Sequence, residues 1–362
     1  MSMQDQMERI VETDTSFNMA SLANVVWPLI EALPSVATAV PLVRARLVAN
    51  YRKLSFSILR NAFLIELVKV PKIETTKFRV RWFDQLNGDP RYCTFEECLN
   101  IAVELLTTLP TWLETPSHAE CFTLSFSNSI VPYEAPLDYV MRFTKQGRLH
   151  QQGNITWLYD ELVLRTLKLR KYLTDRTTSP DLQFFKSVLS DKIKVKTYLT
   201  DRVLTGEHKT NREKRWETHP NSVHFAERRV CLAIEYALVT QICAFEGFPQ
   251  ASLHQLQNAN ILPPNLPIAL CPITGDALSY ETFRRELLNP THGKSDFQVG
   301  HLNPLKLGAD STAAGHTADN ISWFSADGNR IQGSLSLDDV RVLIQHISQN
   351  YKRHGWWPHN SN

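Results

Sequence analysis

Between Phe297 and Gly333 the order of residue types leaves little freedom in how the chain can fold. Phe297-Gln298-Val299-Gly300-His301 alternates at the period of a half-buried strand and runs into a turn at Pro304. Asn320 opens a second short run, Ile321-Ser322-Trp323-Phe324-Ser325. Gly328-Asn329-Arg330-Ile331-Gln332-Gly333 then reads as the start of a helix. The spacing from His301 to Asn320 leaves room for a hairpin with a loop. That from Asn320 to Asn329 allows one short strand and a tight entry into the helix. Strand, strand and helix are predicted, in that order.

At 362 residues the chain has room for two or three domains, each with a core. Its composition is that of an ordinary globular protein, 43% hydrophobic and 21% charged, and a net charge of +2 points to no partner by itself. The most apolar stretch, from about Met19 to Leu47, is interrupted by Pro28, Glu31, Pro34, Pro41 and Arg44, too broken for a bilayer span of roughly 20 residues. The N-terminal residues carry no basic segment followed by an apolar one, so no export signal is expected. The six cysteines are scattered without a Cys-x-x-Cys pair, which argues for free thiols in a reducing cytoplasm over a zinc ribbon.

The predicted fold class is α+β, a largely helical N-terminal region followed by a small C-terminal strand–strand–helix domain. Three regions are expected: a mixed α+β region over 1–155, a basic, mainly helical region over 156–262, and the C-terminal domain over 263–362. Asn18 to Asn61 has helical periodicity cut by the three prolines. Phe78 to Phe83 alternates ahead of Asn87-Gly88-Asp89-Pro90, predicting a hairpin with Tyr92 and Cys93. Thr94 and Glu97 fit a capping box, opening a helix that Pro110 should stop near Leu109. Cys121 to Phe126 reads as a strand. From Glu161 to Arg215 there are 14 Lys or Arg against 7 Asp or Glu. Tyr172–Arg176 and Tyr198–Arg202 carry the same five residues, but two short copies do not make a repeat array. Ile261 to Pro267 is Pro-rich and extended. Ser336 and Asp339 form a second cap, Val340, Leu343, Ile344 and Ile347 a helical stripe, and Gly355 a stop.

The stretch from about Cys271 to Gly333 resembles the HNH, or ββα-metal, nuclease family in its His-Asn-Asn variant. The pattern of that family is a strand ending in His with Pro three residues on, an Asn at the second strand, and a Cys-Asn-x-x-Lys-Gly type helix start. Here these are His301 with Pro304, Asn320 with Ile321, and Gly328-Asn329-Arg330-Ile331-Gln332-Gly333. Phosphodiester hydrolysis needs an activated water, and a neutral histidine can accept its proton. It also needs positive charge where negative charge builds up. The resemblance implies His301 as general base, Asn329 as metal ligand through its amide oxygen, and Asn320 as the residue pinning the hairpin. Arg330 and Gln332 could hold phosphate oxygens. Many members carry Asp just before the histidine as a second ligand; here that position is Gly300, as in branches with an Arg-Gly-His signature. Water and DNA phosphate would then complete the shell of Mg²⁺, or of another divalent cation such as Mn²⁺. His316, after the Gly/Ala/Thr-rich loop from Gly308 to Gly315, is the closest rival to His301; it reads more readily as an exposed loop histidine than as a phosphate contact or a residue supporting the site from behind.

A catalytic module this small needs no large companion, so the remainder is expected to select the target. Lys209, Arg212, Lys214 and Arg215, beside Trp216 and His219, form a basic stretch suited to DNA phosphates, which Lys168, Arg170, Lys171, Lys192, Lys194 and Lys196 could extend. The expectation is a sequence-specific endonuclease acting on double-stranded DNA, most like a type II restriction endonuclease. Since one such site cuts one strand, a homodimer is expected. The alternatives are a non-catalytic DNA-binding protein with a degenerate HNH fold, and a homing or nicking HNH endonuclease.

Overall fold

The computed structural model describes residues 1–13, 19–66, 78–82, 93–127, 137–139, 155–157, 161–174, 180, 184, 188, 193, 228–289, 295–305 and 316–357. They fall into two compact units, Met1–Ala233 and Ile234–Asn362. The described secondary structure is mainly helical, with three two-stranded antiparallel sheets, an α+β mixture as expected. No helix among the described residues is long and apolar enough to cross a membrane.

The first unit begins with helices α1 (Met3–Thr13), α2 (Met19–Glu31), α3 (Ala39–Arg46) and α4 (Tyr51–Phe63). Of the three prolines expected to cut this stretch, only Pro34 stands between helices, where it starts a one-turn 3-10 segment. Pro41 lies in the first turn of α3, where a missing N–H costs no intrahelical bond, and Pro28 lies inside α2. Strand β1 (Leu64–Glu66) pairs antiparallel with β2 (Phe78–Val80), Leu64 opposite Val80. The segment before β2 is thus one partner of this strand; the expected pairing with Tyr92 lies outside the described residues. Residues 83–92 lie outside those described, and Cys93 still donates its N–H to the Arg81 carbonyl at 3.0 Å.

Helix α5 (Phe95–Trp112) opens on the complete capping box: Thr94 accepts from the Glu97 N–H and the Glu97 carboxylate accepts from the Thr94 N–H. It runs through Pro110 rather than stopping at Leu109. Burial of Leu105, Leu106, Leu109 and Leu113 along one face outweighs the one hydrogen bond that a proline removes near a helix end. Helix α6 (Pro116–Ser127) replaces the strand expected at 121–126. Phe122 joins the large core built on Leu22, Ile30, Leu54, Ile58 and Leu105, whereas Cys121 and Leu124 join a second cluster with Leu164, Leu167 and Leu232. A helix buried on two sides shows a short run of continuous apolar residues, the pattern that also marks a buried strand. Strands β3 (Leu137–Tyr139) and β4 (Ile155–Trp157) pair antiparallel, and α7 (Glu161–Thr174) packs against α6.

The second unit takes in the last part of α8 (Arg228–Cys243), then α9 (Gln250–Asn258), α10 (Tyr280–Leu288), β5 (Phe297–His301), β6 (Ile321–Ser325), α11 (Ala326–Gln332) and α12 (Leu337–His354). It thus starts well before the expected 262/263 boundary. The physical reason is the aromatic core: Phe245, just after α8, stacks on Phe297 at 5.8 Å and meets Phe283 edge-on at 5.5 Å, and Phe283 meets Trp323 at 5.2 Å. The Trp323 indole N–H donates to the Leu238 carbonyl at 3.0 Å. Gln241 of α8 accepts at one oxygen from the Ser322 hydroxyl (3.1 Å) and the Trp323 backbone N–H (3.0 Å). The Pro-rich 261–267 segment is neither helix nor strand and lies within this unit.

Candidate active site

Strands β5 and β6 form the hairpin, with Phe297 opposite Ser325 and His301 opposite Ile321. Side chains alternate across it, so Gln298 and Gly300 share the face opposite to that of Phe297, Val299 and His301. Helix α11 packs on both strands. Ser325 caps it, accepting from the Gly328 N–H at 3.1 Å. Gly328 must be a glycine: a Cβ there would lie 2.6 Å from Cys271 Sγ. The Ser325 hydroxyl also donates to that thiol at 3.2 Å. Burial pushes the Cys271 thiol up, but hydrogen bonds from Ser325, Thr274 and Ile273 outweigh it and hold the thiol below its ordinary pKa.

This seating brings Asn329 to the hairpin. Its amide N–H₂ donates to the Gln298 side-chain oxygen, and its own oxygen lies 3.1 Å from where a Cβ on Gly300 would stand. Two Phe324 ring carbons stand as close, at 3.1 and 3.2 Å. The glycine before His301 is therefore the notch into which Asn329 Oδ1 fits. A side chain there would need the fully buried Phe324 ring or the Asn329 amide to give by a few tenths of an ångström.

His301 ends β5 and is held from three directions. Asn320, almost fully buried, forms a two-point bond with the backbone of Asn303, accepting from its N–H at 2.7 Å and donating to its carbonyl at 2.9 Å. The Asn320 carbonyl accepts from Leu302 N–H at 3.0 Å, so the residues after His301 stay paired past the end of the strand. Gln332 comes from the other side: its amide nitrogen lies 3.0 Å from the His301 carbonyl, 2.9 Å from that of Leu302 and 3.2 Å from that of Leu335. Gln332 is buried and its donors are spent on backbone, so the expected phosphate contact at this position gives way to a scaffold role.

The third contact is His316. Its Nδ1 stands 3.0 Å from His301 Nε2, with the two rings edge to face at 5.3 Å. Only 4% of His316 is exposed, so the expected exposed loop histidine is in fact part of the core behind His301. The sequence signal for it was weak: a second histidine four residues before Asn320, after a Gly/Ala/Thr-rich stretch. Arg330 lies on the solvent side of α11 and pairs with Asp327 at 2.8 Å, both largely exposed.

Of the basic residues expected to contact DNA, Lys209, Arg212, Lys214 and Arg215 lie outside the described residues, as do Lys192, Lys194 and Lys196. In α7, Lys171 is exposed, Lys168 pairs with Glu120 at 3.2 Å, and Arg170 is buried and cannot extend a surface. Among the described residues no group of three His, Cys, Asp or Glu is arranged to hold a metal ion. A divalent ion that keeps most of its waters does not need such a group. A hard cation of the Mg²⁺ kind binds through one or two protein oxygens with water and phosphate, a demand that the Asn329 oxygen at the Gly300 notch fits.

No family model matches the chain, and no curated protein matches it. Among solved structures, it is similar to one described as the crystal structure of a type II restriction endonuclease. The identity is 17% over 36% of this chain and 55% of that one, with a TM-score of 0.26. The chain thus spans little more than half the length of that protein. An overlay at this level carries no argument about the fold.

Proposed function

We propose that the second unit is a ββα-metal nuclease site, and that the chain is a sequence-specific endonuclease of the type II restriction kind acting on double-stranded DNA. The observation that carries this reading is the seating of Asn329 against Gly300, the residue next to a His301 that is itself held at the end of its strand. A histidine at the end of a strand is held by Asn320, Gln332 and His316, and an asparagine oxygen fits the glycine notch one residue before it.

In this reading His301 takes the proton of the attacking water. Its Nε2 is engaged with His316 Nδ1, so the proton is taken at Nδ1; in this reading the tautomer has Nε2 carrying the hydrogen shared with His316. His316 is then a positioning residue: it sets the tautomer of His301 and accepts from the imidazolium that forms. A burial-locked partner behind a catalytic histidine plays the orienting part that a carboxylate plays in other sites. Asn329 would hold one divalent cation, Mg²⁺ or Mn²⁺, which supplies charge stabilisation at the phosphate. Asn320 and Gln332 fix the backbone on either side of His301. Arg330, exposed on α11, is placed to reach a phosphate once it leaves Asp327. The 233 residues of the first unit are available for target selection, with the Lys209–Arg215 stretch as the proposed phosphate contact.

The test is cleavage of plasmid and genomic DNA with Mg²⁺ or Mn²⁺, followed by sequencing of the fragment ends. The expected result is discrete fragments from wild type, uncut but bound DNA with His301→Ala, and cleavage by Asn329→Ala only at raised metal. His316→Gln should retain a lowered rate with a displaced pH–rate profile, which a purely structural role would not displace. Uncut DNA from the wild type across metals and substrates would instead favour a non-catalytic DNA-binding protein, the reading that the glycine at 300 and the buried Gln332 leave open.

A further inference from the structure

Among the described residues, helix α12 is anchored at its start. Leu337 N–H donates to the Leu302 carbonyl and Val340 is fully buried, but the same face then continues bare. Leu343, Ile344, Ile347 and Tyr351 follow Val340 at helical spacing, so all five lie on one side. The helix closes on Gly355 in the left-handed conformation, with Trp356 N–H donating back to the Tyr351 carbonyl. That turn folds the next two side chains onto the stripe: Trp356 and Trp357 meet the Tyr351 ring at 5.7 and 5.8 Å. These six residues are 38–61% exposed. Together they show roughly 600–700 Å² of mainly apolar surface, close to the roughly 800 Å² per partner of a stable complex.

We propose that this face is where a second copy of the chain docks, the two α12 helices lying antiparallel about a two-fold axis. Area is the first argument: two such patches brought together approach a standard interface. Charge is the second. The first turn carries Asp338 and Asp339 and the last turn carries Lys352, Arg353 and His354, all exposed. The same helix reversed sets acid against base at both ends, whereas a parallel copy sets like against like. A lipid surface is disfavoured because the opposite face mixes Asp338, Gln345 and Gln349 with Arg341 and Lys352 rather than presenting a basic face. The proposal does not depend on the nuclease reading.

The experiment is sedimentation equilibrium of the full chain from submicromolar to about 100 µM. Wild type should weigh twice the chain mass. Ile347→Glu should weaken self-association about hundredfold or more, since each dimer loses two buried side chains. Val342→Glu, on the opposite and already exposed side, should leave it unchanged. With a mild oxidant, Ile347→Cys at the centre of the stripe should crosslink to its own mate, and Leu343→Cys should not. Equal crosslinking at both would overturn the antiparallel arrangement. A wild type that stays monomeric throughout overturns the proposal. If Ile347→Glu then lowers the melting midpoint, the stripe is covered by this chain's own residues; if the monomer binds anionic vesicles through the stripe, it is a membrane surface. A dimer that survives Ile347→Glu places the interface elsewhere and equally overturns it. Mass is read without reference to cleavage, so the outcome stands apart from that of the nuclease assay.

Discussion

Replacing Gln332 by methionine separates two roles that the sequence could not. The side chains are similar in length, so the exchange removes the amide hydrogens with little change in volume. Three carbonyls lose a donor, but they do not lose equally. That of Leu302 keeps the Leu337 N–H at 2.9 Å, so the penalty falls on those of His301 and Leu335. A buried carbonyl left unmet costs about 1–3 kcal/mol, and burying methionine in place of an amide offsets about 1 kcal/mol. The net expectation is a loss of about 1–5 kcal/mol, or roughly 3–15 °C in the unfolding midpoint of a unit this size. The assay is thermal and urea unfolding of the full chain, followed by DNA binding as a function of salt at a temperature where the variant is folded. The slope of log affinity against log salt should match that of wild type, since no phosphate contact is lost. A variant of wild-type stability with a shallower salt slope would refute the argument: Gln332 would then be holding phosphate.

Two further outcomes follow from the same geometry. Gly300→Asp, which supplies the carboxylate common in the HNH family, should destabilise the second unit by about 1–3 kcal/mol without improving metal use, because its Cβ meets Asn329 and Phe324; unfolding midpoints of Gly300→Asp alone and with Phe324→Leu measure it, the second exchange giving back part of the loss. In the first unit, burial and the Glu31 carboxylate beside it push the Tyr51 hydroxyl up to about 12. The unfolded chain therefore loses this proton first. The stability should be intact below about pH 10 and fall as pH rises towards 12, a loss that Tyr51→Phe removes in alkaline urea titrations.

What was legible in the sequence was local. Thr94 with Glu97, Ser336 with Asp339 and the stop at Gly355 involve partners within a few residues, and their side-chain chemistry allows few alternatives. The run of 121–126 was misleading because burial on two sides hides helical periodicity. Pro110 was misleading because the leucines around it bury enough to carry the helix past it. In the candidate site, the order His301, Asn320, Asn329 could be read directly, since each sits at an element boundary. His316 could not: it stands fifteen positions after His301, and a contact at that separation leaves no periodic trace. Gln332 was misplaced for a related reason. A polar residue on a short helix looks solvent-facing until the carbonyls at the end of the facing strand are known.

The Gln241 contact has a consequence for how the hairpin behaves towards other chains. A sheet of two strands is all edge, and each outward N–H is an invitation to a passing strand. On β6 the Trp323 N–H points away from β5, and the Gln241 oxygen already occupies it while holding the Ser322 hydroxyl beside it. A side chain from a helix thus stands where a third strand would have begun. The sheet ends at two strands by design of its neighbour, and the strand opposite His301 stays free of pairing that would drag the histidine out of register.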